Sequence, residues 1–66
     1  MLQSTNKDAA ECYQRAAEAR RKARAAATSQ LRADFLDMER HWLSLAESYE
    51  FADRLTRVAD RVDNRH

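Results

Sequence analysis

Apolar and polar positions along the chain follow two helical rhythms separated by a short polar break. In the first half, Ala9, Cys12, Ala16, Ala19, Ala23, Ala26 and Ala27 fall on one narrow face when successive residues are placed about 100° apart, with Tyr13 at its edge. In the second half, Leu31, Phe35, Met38, Trp42, Leu45, Tyr49 and Ala52 recur at alternating spacings of four and three, the seam pattern of antiparallel helix pairs. No Gly or Pro interrupts either run, and good helix formers dominate both. The pattern predicts an all-α fold, with helix 1 over about 8–27 and helix 2 over about 29–62.

The boundaries follow from capping chemistry. Helix 1 is expected to start after Thr5, whose hydroxyl suits the amides of the next turn, or one turn later at Asp8. The segment Ala27-Thr28-Ser29-Gln30 is the predicted turn, because Thr28 or Ser29 makes a good N-cap and Asp34, Asp37 and Glu39 follow in the early turns of helix 2. Asp63-Asn64-Arg65-His66 is expected to fray. Small residues on helix 1 allow close approach, so bulky ones are expected to oppose them. In an antiparallel hairpin Ala23 and Ala26 face Leu31 and Phe35, and Ala16 and Cys12 face the level of Trp42 and Leu45. The expected intrachain core is Cys12, Ala16, Ala19, Ala23, Leu31, Phe35, Met38, Trp42, Leu45 and Tyr49, anchored by Trp42.

The two helices are unequal. At 1.5 Å per residue helix 1 spans roughly 30 Å and helix 2 about 50 Å. In the excess, Phe51, Leu55, Val58 and Val62 form a second stripe, rotated by roughly a third of a turn from the first. Helix 1 does not reach it, and an uncovered apolar stripe calls for a second chain. A homodimer of two hairpins in an antiparallel four-helix bundle is the most economical arrangement, since two-fold symmetry lets one patch meet its copy. A helix from an unidentified protein partner fits the same stripe.

Composition narrows the alternatives. Sixty-six residues with 35% charged and a single cysteine make one domain, 1–66, without an internal disulfide. So short a chain needs oligomerisation or very regular helix packing for stability. Met1 to Lys7 is polar and no apolar run approaches the ~18 residues of a membrane span, so a cytoplasmic location off the membrane is expected. Net charge is only +1, so attraction to a polyanion must come from local clustering. The cluster is Arg15, Arg20, Arg21, Lys22 and Arg24. Its C-terminal members complement the partial negative charge at the end of helix 1. Arg15 and Lys22 flank the alanine face on one side, Arg20 and Arg24 on the other, and Arg21 lies nearly opposite, a dispersion that suits a solvated face better than a groove reader. Glu11 with Arg15 and Glu18 with Lys22 are spaced for pairing along the helix. The competing reading is a nucleic-acid-associated regulator whose dimer doubles these cations; nucleic acid is the less expected partner. Helix 1 from Asp8 carries five basic against three acidic residues and helix 2 five against seven, so mutual attraction already occupies part of the charge.

Candidate chemistry is limited to Cys12, His41, His66 and the carboxylates. Asp37 and His41 share a helix face, but the repeated Glu-x-x-His of di-iron bundles and any Cys-x-x-Cys are missing, so no metal or cofactor is expected. Cys12 reads as a small apolar residue, no Gly-rich loop is available for a phosphate, and Tyr13, Trp42 and Tyr49 read as packing residues. No enzyme activity is expected, and no catalytic residues are assigned.

The segments CYQRAAEARRKA and LRADFLDMERHWLSLAES, joined by a turn, resemble the short helical-hairpin proteins abundant in alphaproteobacteria. The likeness covers about Cys12 to Glu47 and rests on Tyr13, Glu18, Arg32, Leu36, Trp42, Leu45, Ala46 and Glu47. Where that family carries Asp-Pro-Glu at the turn, this chain has Thr28-Ser29-Gln30, which fixes the start of helix 2 less sharply. The resemblance implies the hairpin and no particular mechanism.

Overall fold

A computed structural model of the chain describes residues 6–63. Two helices, α1 (Lys7–Arg24) and α2 (Ser29–Asp63), pack against each other as an antiparallel hairpin. The alternative cap at Thr5 and, of the segment expected to fray, residues 64–66 lie outside the described residues, while Asp63 is the last residue of α2.

Helix α1 ends at Arg24 rather than Ala27. A helix commonly stops with a left-handed residue, usually Gly, which satisfies the last carbonyls in a tight turn. This chain has no Gly, and among the described residues none adopts positive φ. Ala25 instead sits at φ −92° and ψ 0°, its N–H donating to the Arg21 carbonyl at 3.2 Å, while Ala26 N–H donates to Ala23 at 3.2 Å. The reversal therefore uses Ala25 to Thr28. Thr28 caps α2: its hydroxyl oxygen accepts from Leu31 N–H at 3.0 Å and its carbonyl from Arg32 N–H at 3.0 Å. With no breaker behind this cap, α2 continues for 35 residues.

The α1 side of the seam is the alanine face. Ala9, Cys12, Ala16, Ala19 and Ala23 are all buried, so the four core residues expected on α1 are in place. The α2 side differs from expectation. Among its described residues the one fully buried is Ala46, at 0% exposure, while Phe35, Glu39, Trp42, Leu43, Leu45, Glu50 and Asp53 are half-buried. Leu31, Met38 and Tyr49 are exposed and do not belong to the intrachain core. The reason is steric. Alanine against alanine lets the backbones approach more closely than alanine against a bulky stripe, which strengthens dispersion along the contact. The α2 side of the seam is therefore Ala46 bordered by Glu39, Leu43, Glu50 and Asp53 together with the expected Phe35, Trp42 and Leu45, all half-buried, while Leu31, Met38 and Tyr49 lie outside it.

Polar contacts fix the register. Asn6 Nδ2 donates to Asp53 Oδ2 at 3.2 Å, and Asp53 also accepts from Arg57 Nη2 at 2.8 Å. This carboxylate stands beside the start of α1, where negative charge is favourable. Nearer the turn, the Arg15 guanidinium lies 5.5 Å from the Trp42 ring centroid. Among the described residues nothing from α1 reaches beyond Asp53, and the last ~15 Å of α2 extends past the end of α1. The Cα trace measures 59 × 18 × 9 Å, a rod two helices wide and one helix thick. Its radius of gyration is 16.5 Å, against about 11 Å for a compact globule of this length.

Candidate interaction surface

Apolar side chains left in contact with solvent define the surface. Among the large ones that are exposed, exposure runs from 38% at Leu36 to 55% at Phe51 and Val62, and none of the described large side chains is fully buried. They form three groups. One broad side of the hairpin carries Leu31, Met38 and Tyr49, with the half-buried Phe35, Trp42 and Leu45 at its inner border. The opposite side carries Leu36 and Tyr13 beside the half-buried Leu43. The projecting end carries the expected interface stripe, Phe51, Leu55, Val58 and Val62, every member about half exposed. Arg54 lies over the Phe51 ring at 5.9 Å and shields part of it.

Charges border these groups. Arg15 and Lys22 edge a shallow groove with Glu18, Phe35, Met38 and Trp42. Arg20, Arg21 and Arg24 edge another with Tyr13, Glu39 and Leu43. The two grooves lie on opposite sides of the seam, so the cations singled out in the sequence are divided between them. Arg15 pairs with Glu11 at 3.7 Å, but Glu18 and Lys22 make no ion pair among the described residues. Exposed pairs along a helix contribute little either way.

The chemistry-bearing groups are drawn into structural contacts. Tyr13 donates its phenolic O–H to Glu50 Oε1 at 3.0 Å. That hydrogen bond raises the phenol's pKa above its ordinary value, with partial burial and the negative charges of Glu50 and Glu47 adding to it, so Tyr13 stays a neutral donor at neutral pH. Asp37 pairs with Arg40 at 3.5 Å. The exposed His41 ring meets Trp42 edge-on at 5.8 Å, and Cys12 lies buried in the seam. Among the described residues, no three His, Cys, Asp or Glu side chains gather as metal ligands.

Sequence periodicity missed Glu39, Leu43, Ala46, Glu50 and Asp53. Three of the five are acidic, so a search for apolar spacing passes over them. Their signal is the small residue itself: Ala46 is the one place in the middle of α2 where an alanine-faced helix approaches without obstruction. Among the described residues no helix is long and apolar enough to cross a membrane. No family model, curated protein or solved structure matches the chain.

Proposed function

We propose that this chain is a non-catalytic, self-associating helical module of the cytoplasm, a homodimer in which two hairpins form an antiparallel four-helix bundle. The observation that carries the reading is the thickness of the hairpin. Stable domains bury their apolar faces between at least two layers of secondary structure, and this chain supplies one. Among the described residues only alanines and a cysteine are buried within it, while every large apolar side chain keeps a wet surface. Covering a side chain of that size is worth up to ~1.5–3 kcal/mol, so a second layer adds more stabilisation than the alanine seam provides. A second copy supplies that layer without any new surface chemistry. The engagement of Tyr13, Asp37, Asp53 and Cys12 in packing and pairing supports a structural rather than a catalytic role. Outward-facing charge and the Phe51, Leu55, Val58 and Val62 stripe remain for further association, with a copy or with a protein partner.

Size-exclusion chromatography with light scattering tests this reading. The expected mass is twice the 7.7 kDa of the chain, held on dilution into the micromolar range. A mass of one chain at every concentration overturns it.

A further inference from the structure

We infer that the two copies meet through the broad side bearing Met38 and Leu45, related by a two-fold axis that crosses α2 between His41 and Trp42 and α1 between Ala16 and Ala17. The inference rests on the self-association proposed above and specifies its surface. That surface is the side of the hairpin edged by Arg15, Glu18, Lys22, Phe35, Met38 and Trp42. It differs from the projecting stripe at Phe51 to Val62.

Two independent patterns place the axis at the same level. Along α1 the ridge on this side reads Glu11, Arg15, Glu18, Lys22, acid and base alternating at spacings of four, three and four. Reversed about its midpoint, the order becomes base, acid, base, acid. An antiparallel copy therefore sets Glu11 opposite Lys22 of the other chain and Arg15 opposite Glu18, with the same two pairs repeated by symmetry. Glu18 and Lys22, which have no ion-pair partner among the described residues, acquire one. Along α2 the exposed face has its own midpoint. Met38 and Leu45 lie equally far on either side of the His41–Trp42 bond, as do Leu31 and Ala52.

Nothing in the sequence requires these two midpoints to coincide; the hairpin makes them do so. Asn6 meets Asp53 and Arg15 lies over Trp42, so the point between Ala16 and Ala17 stands level with the point between His41 and Trp42, to within about one residue's rise of 1.5 Å. One axis thus serves both layers. In α2 against its copy, Met38 packs on Leu45 and Leu31 on Ala52. In α1 against its copy, four complementary pairs align. Every neighbouring helix pair in the bundle is antiparallel, and Trp42, Phe35, Leu31 and Tyr49 turn toward its centre with Cys12 and Ala19. The bulky stripe that the single hairpin leaves at its surface becomes the core of the pair.

Charge exchange tests the assignment. One variant carries Arg15→Glu and Lys22→Glu, giving an all-acidic ridge; the other carries Glu11→Lys and Glu18→Lys, giving an all-basic one. Four cross-chain pairs turn from attractive to repulsive in each, so each variant alone is expected to self-associate on the order of a hundredfold more weakly than the parent. An equal mixture is expected to form a one-to-one heterodimer at least as tight as the parent, more weakly at high salt. Because like charges four apart also weaken the isolated helix, a second measurement is independent of helix stability. In a Cys12→Ala background, chains bearing Met38→Cys and Leu45→Cys are mixed and oxidised, and a disulfide joining one of each is expected to form in preference to either homodimer. If the parent is dimeric but the mixture shows no preference and the disulfide does not form, this surface is wrong while self-association stands. If the parent is monomeric, both fail.

Discussion

Ala46→Leu is expected to destroy the cooperative unfolding of the hairpin. Ala46 is the one described α2 residue with no exposed surface, and the register from Asn6–Asp53 to Arg15–Trp42 places it level with Cys12. With no exposed surface at Ala46, the added carbons must enter the seam against the buried Cys12 and alanines of α1. Overpacking of this kind costs typically ~1–3 kcal/mol. A core in a chain this short rarely supplies more than ~3–5 kcal/mol. The substitution thus consumes most of the margin, although leucine is itself a good helix former. Far-UV circular dichroism on heating is expected to show a shallow, non-cooperative loss of helix in place of a sigmoidal melt. An unchanged midpoint contradicts the alanine seam. The same substitution at Ala10, exposed on the far side of α1, is the control and is expected to be nearly silent.

Trp42→Ala carries the second large effect, and its size depends on assembly. Within one chain Trp42 is half-buried, covered by Arg15 on its face and touched by His41 at its edge. Truncating a fully buried tryptophan costs about 3–5 kcal/mol, and a half-buried one roughly half as much in proportion to the area lost. In the proposed pair Trp42 sits beside the two-fold axis in both copies, so the higher figure applies to each chain. The expected result is loss of the dimer mass by light scattering together with a strongly lowered melting midpoint. Trp42→Phe, which keeps the ring in place for Arg15, is expected to preserve the dimer. A Trp42→Ala protein that keeps both mass and midpoint contradicts the placement of this side chain.

Much of the hairpin was legible in the residues. The alanine spacing on α1 marked its buried face, Thr28 or Ser29 marked the start of α2, of which the structure uses Thr28 as the cap, and the absence of Gly and Pro matched the unbroken length of α2. Two features were not legible. The end of α1 depends on how many residues a chain without glycine needs to reverse direction, which is a property of backbone geometry rather than of side-chain pattern. The α2 seam was displaced because apolar periodicity locates the richest stripe without saying which neighbour covers it. Leu31, Met38 and Tyr49 mark where α2 is most apolar; Ala46 marks where α1 fits. In a two-helix unit these need not be the same side, and their divergence is what leaves the bulky stripe wet.

The claim on which the rest depends is that one hairpin is half of a folded unit, so that folding and pairing occur together. Thermal melts of the parent chain at concentrations spanning about a hundredfold test it directly, because association that accompanies folding makes the midpoint rise with protein concentration. The expected result is a midpoint that climbs steadily across the series, with loss of helix and loss of dimer mass coinciding. A cooperative melt whose midpoint is the same at every concentration, from a species of 7.7 kDa, contradicts it.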